Sequence, residues 1–283
     1  MTHLPEIIQK SAPEILGHVL HMTEAQWKNL IARLLQFLEK AESSDQTIEC
    51  YDEQIWTFLL AVGFASGDDK RGIFELGKHL GAKNSGHSPT LWMEALPIPP
   101  RMKEGNTNLD LAWGGIKMRG ISKERGGLGI EYDPRASEEI IFCEMKWYSD
   151  ISKNVTHDQR RNQLARVIEN ALTFQCDGAF PERCVVTLIT PKAFVGQSPK
   201  SRLYQYKFEE YLSSFSNIVA EFENCSDTMP RRQQSDWNYP ESIQDRLKRL
   251  TLYHISFEEL FEALPPSELR SNIQEFAIRY NRS

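Results

Sequence analysis

Within the apolar run "EIIFCEMKW" (residues 139–147), Glu144 and Lys146 stand two residues apart. Side chains alternate across a strand, so Ile141, Cys143, Met145 and Trp147 share one face, and Ile140, Phe142, Glu144 and Lys146 the other. Both faces are mostly apolar, which predicts a strand buried on both sides. A buried carboxylate or ammonium is costly unless paired, hydrogen-bonded or bound to a metal. Asp110 interrupts "TNLDLAW" (107–113) in the same way, with Ala112 on its own face and Leu109, Leu111 and Trp113 on the other. Two neighbouring strands of this kind bring Asp110, Glu144 and Lys146 to one point. Two carboxylates at such a point suit Mg²⁺, which takes one or two carboxylates together with phosphate oxygens. Lys146, roughly 7 Å along the strand from Glu144, reaches a water or a phosphate there. The chemistry implied is metal-assisted hydrolysis of a phosphate ester. The plainer alternative is an internal ion pair, Asp110–Lys146 or Glu144–Lys146, without catalysis.

The rest of the chain must position these residues. Helices are predicted over about 5–21 and over 23–41, where Thr23 and Gln26 have capping-box spacing. "DEQIWTFLLAVGF" (52–64) is apolar nearly all round from Ile55, the pattern of a buried helix, with Glu53 at its start. "GDDKRG" (67–72) and "LPIPPRMKEG" (96–105) read as loops. Strands are expected over 107–113, 128–133 and 139–147, with the Gly-rich 114–129 as an extended hairpin. A helix over 156–174 follows, opened by Thr156 and Gln159. Its apolar face (Leu164, Val167, Ile168, Ala171) turns cationic at the N-terminal end through His157, Arg160 and Arg161, with Gln163 on its edge. For Arg160 and Arg166 the plainer reading is solvation, of one of them at least. A strand over 183–191, a long helix over 201–222, a polar loop over 225–242, a strand over 250–256 and two helices complete the chain. This order predicts an α/β protein, a mixed sheet with helices on both faces. The expected division is an N-terminal helical segment (1–48), a core (49–195) and C-terminal helices and a strand completing that core (196–283).

Asp110 followed by "EMK" (Glu144, Met145, Lys146), with a helix before and a helix after, resembles the PD-(D/E)xK nuclease superfamily. The resemblance covers about residues 50–191. Leu109 precedes Asp110 where the family often has proline, and the Gly-rich stretch lengthens the gap to Glu144. The resemblance implies a restriction-endonuclease-like fold and a Mg²⁺-dependent nuclease, with Mn²⁺ substituting. It makes Asp110 and Glu144 metal ligands, Glu53 a further ligand from the first core helix, and Lys146 the group that positions or deprotonates the water. It gives Arg161 and Gln163 an assisting role on the following helix. Its substrate would be nucleic acid, DNA foremost, in a setting such as prokaryotic defence. The rival is a nuclease-fold subunit that binds nucleic acid or a protein complex without cutting.

The 283 residues are 40% hydrophobic and 25% charged, ordinary for a soluble globular protein. A net charge of −6 argues against loose, non-specific nucleic-acid binding. Charge is uneven, however: Arg101, Lys103, Lys117, Arg119, Lys123 and Arg125 face only Glu104, Asp110 and Glu124 in the same stretch. Lys117, Arg119, Lys123 and Arg125 are candidate nucleic-acid contacts, with a solvated hairpin as the alternative. The five cysteines are scattered and form no CxxC pair, which fits reduced thiols in a cytoplasmic protein and not a zinc site. No apolar run approaches the ~20 residues of a membrane span, and the N-terminus lacks the pattern of a secretory signal. Nothing in the sequence fixes a protein complex or homo-oligomer as partner.

Overall fold

The first capping box forms as the spacing predicts: Gln26 N donates to the Thr23 hydroxyl at 3.1 Å, and Thr23 N donates to Gln26 Oε1 at 2.8 Å. The computed structural model describes residues 3–44, 48–66, 70–83, 88–122, 126–151, 161–196, 200–225 and 229–281. In chain order these form α1 (Leu4–Ile15), β1 (Leu20–His21), α2 (Glu24–Glu42), α3 (Glu53–Ala65), α4 (Arg71–His79), β2 (Thr90–Ala95), β3 (Leu109–Gly114), β4 (Ile116–Ile121), β5 (Leu128–Tyr132), β6 (Glu139–Met145), α5 (Gln163–Thr173), β7 (Arg183–Thr190), α6 (Leu203–Ser213), α7 (Phe215–Glu223), α8 (Ile243–Leu247), β8 (Leu250–Ser256), α9 (Phe257–Glu262) and α10 (Glu268–Tyr280).

Six strands make one mixed sheet in the order β1-β2-β3-β6-β7-β8. The β2–β3 and β3–β6 pairs are antiparallel and the others parallel. Each face carries its own core. On one side Ile141, Cys143, Met145 and Trp147 pack with α3 and with residues from α1, α2, α9 and α10. On the other, Ile140 and Phe142 pack with α5, α6, α7 and α8. The parity expected of residues 139–147 is therefore the parity found. The α3 helix is buried from Ile55 to Ala65, and Trp56 stacks on Trp147 with ring centroids 4.0 Å apart. Such a pair adds about 0.5–1.5 kcal/mol beyond its burial and fixes the start of α3 against the end of β6.

Several expectations are corrected. The strand expected over 128–133 does not join the main sheet; it pairs with β4 in a separate two-stranded hairpin. The strand beside β3 on the side away from β6 is β2, and neither β2 nor α4 is among the elements expected from the sequence. The helix expected to reach residue 21 stops at Ile15, and Leu20–His21 adds an edge strand. The long helix over 201–222 is two, broken at Ser214, whose hydroxyl accepts from Ser216 N at the start of α7. The helix after β6 opens at Gln163 with Asn162 as its cap, accepting from Ala165 N at 2.9 Å. Thr156, His157, Gln159 and Arg160 lie outside the described residues. The first two helices share a core with α3 and α10, so the N-terminal segment is not packed apart from the rest.

Candidate active site

Asp110, Glu144, Lys146 and Glu53 meet where β3, β6 and the start of α3 converge. Asp110 is the second residue of β3, and its Oδ2 accepts from Met145 N at 2.7 Å, which ties the two strands beyond their last paired residues, Leu111 and Cys143. Lys146 continues β6 past its last strand residue, its backbone N–H donating to Ile189 O at 2.9 Å. Lys146 Nζ lies 2.8 Å from Glu144 Oε1 and 3.2 Å from Glu53 Oε1. Glu53 Oε2 accepts from Trp147 N at 2.9 Å and Ser149 Oγ at 2.6 Å, so the first turn of α3 is fastened to the chain just past β6. Asp52 caps the same helix, accepting from Gln54 N and Ile55 N.

Charge is unbalanced here. Burial, then the Glu144 carboxylate, pushes Asp110 well above the ordinary carboxylate range, and Lys146 only partly opposes this. Burial also raises Glu144, again partly offset by Lys146. Burial acts to lower Lys146, but Glu144, Asp110 and Glu53 outweigh it and hold the ammonium above its ordinary value. Lys146 is thus a firmly protonated cation facing three carboxylates. Glu144 is 1% exposed, and its Oε1 has no partner in hydrogen-bond geometry.

A fourth carboxylate was missed in the sequence. Glu94 lies in β2 between Met93, paired with Leu111, and Ala95, paired with Leu109, which places it across from Asp110. Its φ is 54°, a left-handed conformation rare for a non-glycine residue. The strand's alternation shifts there: Met93 enters one core and Ala95 the other. Glu94 accepts from Gln54 Nε2 at 3.2 Å and from Asn108 Nδ2. Burial raises its carboxyl despite these bonds. The signal was available, since "LWMEA" interrupts an apolar run with an acid just as Asp110 and Glu144 do.

The residues expected to assist from the helix after β6 are placed differently. Arg161 is fully buried, 2.9 Å from Glu104 Oε1 and 2.6 Å from Glu169 Oε2. Glu169 also meets Arg101 at 2.6 Å and the Tyr239 hydroxyl at 2.8 Å. Burial would raise Glu169, but Arg161 and Arg101 hold it low. This closed ion-pair cluster gives Arg161 a structural part and leaves no guanidinium edge for a phosphate. Arg166 is half-buried at 3.0 Å from Glu104, and its charge lowers Glu144. Gln163 is half-buried on the first turn of α5. In the hairpin, Lys117 pairs with Glu131 at 3.3 Å and Arg119 is exposed; Lys123 and Arg125 lie outside the described residues.

The donor set suits a hard cation: three carboxylates, two of them pushed above the ordinary range by burial, against one ammonium. In the arrangement described, Lys146 supplies that positive charge, and among the described residues no three acidic, imidazole or thiolate groups close a metal site. Nor is any helix among them long and apolar enough to cross a membrane. Comparison with protein-family models, with curated proteins and with solved structures gives no match, so any family assignment rests on the residues and geometry just described.

Proposed function

We propose that this chain is a Mg²⁺-dependent nuclease, hydrolysing phosphodiester bonds of DNA on a restriction-endonuclease-like core. The observation that carries the reading is the convergence of Asp110, Glu144, Lys146 and Glu53 from three separate elements. Asp110, Glu144 and Glu53 are the oxygen donors for Mg²⁺, with Mn²⁺ substituting. When bound, such an ion supplies a more acidic water and neutralises charge on the phosphate. Lys146, held protonated by its neighbours, is poorly suited to act as a base. Its ammonium orients the attacking water and stabilises the negative charge that develops on the phosphorane, an effect of the kind worth 10²–10³-fold in rate. Ser149 and Trp147 N hold the Glu53 carboxylate towards this point. Gln163, at the start of α5, would orient water or phosphate; Arg161 is taken up by Glu104 and Glu169. Lys117 and Arg119 in the hairpin contact the nucleic acid.

Incubation with plasmid, single-stranded DNA and RNA, with Mg²⁺ or Mn²⁺ and with EDTA, tests the proposal. Metal-dependent cleavage that disappears in Glu144→Gln is the expected result. Absence of cleavage on every substrate, with no heat of Mn²⁺ binding by calorimetry, overturns it. One observation favours the rival, non-cleaving subunit: Lys146 Nζ bridges Glu144 and Glu53 and pairs with both without an ion. For that rival, Mn²⁺ leaves the melting temperature unchanged.

A further inference from the structure

The hairpin β4–β5 leaves the main sheet at Gly114, whose φ of 118° and a 2.2 Å approach of any Cβ to Glu139 O admit only glycine. It is then tied back beside the candidate site: Leu96 N donates to Leu128 O at 2.9 Å and Ile130 N to Leu96 O at 3.0 Å, two residues from Glu94. Its base is anchored, with Ile116, Ile130 and Tyr132 buried in the α5-side core. Its outer part is not: Met118 is 57% and Ile121 66% exposed, with Arg119 exposed between them. Arg119 makes no ion pair or hydrogen bond within the described residues, and its Nη2 lies over Gly129, 3.5 Å from where a Cβ would stand. A second guanidinium stands close by. Arg232 is held against the same connection, its Nε donating to Pro99 O and its backbone N–H to Pro100 O, both at 2.8 Å. Burial and the Arg119 charge both lower Arg232, with Asp236 only partly opposing. The neighbouring arginines differ: Arg231 pairs with Glu223, and Arg101 with Glu169.

We infer that this hairpin is a duplex-reading ribbon: Arg119 and Arg232 together grip one backbone phosphate, while Met118 and Ile121 lie against the apolar sugar and base edges of a groove. Two guanidiniums whose charges repel, Arg119 exposed and in no ion pair among the described residues, favour an anionic occupant. A two-stranded ribbon has the width that the major groove admits. Exposed apolar side chains next to the arginines match a ligand that alternates charge with apolar surface, as duplex DNA does. The inference rests on the nucleic-acid reading above and adds Arg232, Met118 and Ile121 to it.

The test measures anisotropy of a labelled short duplex and of its single strand in EDTA, across a salt series, for the full chain. Arg119→Ala with Arg232→Ala should flatten the dependence of log K on log salt by about 0.9, the value for the one phosphate they share. Arg119→Lys with Arg232→Lys should keep the slope, which separates lost charge from misfolding. Met118→Ser with Ile121→Ser should weaken duplex binding more than single-strand binding and leave the slope unchanged. An unchanged slope in the double alanine variant overturns the inference, as does tighter binding to phosphatidylserine vesicles than to duplex. A wild-type chain that binds no DNA overturns it too. Duplex binding with the expected slopes but no metal-dependent cleavage leaves the ribbon standing and removes the nuclease reading; cleavage with unchanged slopes does the reverse.

Discussion

Asp110 and Glu144 both take up protons more readily in the folded chain than free in water, because burial outweighs their pairing with Lys146. The folded state therefore binds more protons than the unfolded one between the ordinary carboxylate pKa, about 4, and the raised values, and stability falls as pH rises through that window. Asp110→Asn keeps an oxygen for Met145 N and removes the charge. It should abolish cleavage yet raise the melting temperature at neutral pH, with the gain vanishing below about pH 4; melts of both proteins across pH check this. Lys146→Met does the opposite. Removing one member of a buried ion pair costs about 3–5 kcal/mol, and in this variant Mn²⁺ should restore part of the lost stability by replacing the ammonium. A melting temperature indifferent to Mn²⁺ would mark Lys146 as a structural counter-ion only. Glu53, Asp110, Glu144 and Lys146 were legible because polar residues interrupting apolar strands, and an acid opening an apolar helix, stand out in sequence. Glu94 carried the same signal but went unread, since its run abuts "LPIPP" and its left-handed turn breaks the alternation that marks a strand.

Elements were legible where periodicity is local and illegible where pairing is distant. The bounds of α2, α3, β6 and β8 follow from spacing and caps. That β5 pairs with β4 and not with β3 depends on Gly114 turning the chain out of the sheet, which no periodicity shows. Gly114→Ala should cost about 1–3 kcal/mol for the left-handed residue alone, with a further cost from the clash at Glu139 O, and displace the hairpin; chemical denaturation measures the loss. The apolar face of α5 forms as its spacing predicts, but Arg161 lies two residues before that helix, where helical period sets neither direction nor depth. Arg161 faces inward and finds Glu104 and Glu169, where the expected partner was a phosphate. Arg161→Leu should therefore destabilise the fold by about 3–5 kcal/mol, while the cleavage rate per folded molecule, obtained by titrating sites with Mn²⁺, stays near that of the wild type.

Across the whole molecule, two half-buried histidines set the acid limit. Burial, helped by Lys70 and His18, lowers His21 to about 4, and burial lowers His254 to about 4 where it meets Thr190 Oγ1 at 2.8 Å. Folded-state values below the ordinary one mean that stability, full above about pH 6.5, is lost as pH falls towards 4. His254→Gln should flatten that acid limb of the melting curve. The core on the α3 side has a further consequence, one of timing. Trp56 sits beneath Phe276 at 5.2 Å, Ile273 and Leu264 close over Gly63, and Cys50 N donates to Tyr280 O at 3.0 Å. The helix that carries Glu53 is thus sealed by residues that leave the ribosome some 200 positions after it. A nascent chain stalled before Glu268 should leave Trp56 open to solvent quenchers, and one released past Tyr280 should protect it. On this scheme the cluster of Glu53, Asp110, Glu144 and Lys146 stays unassembled throughout synthesis, and under the nuclease reading a truncated product would have no means of cutting the nucleic acid around it.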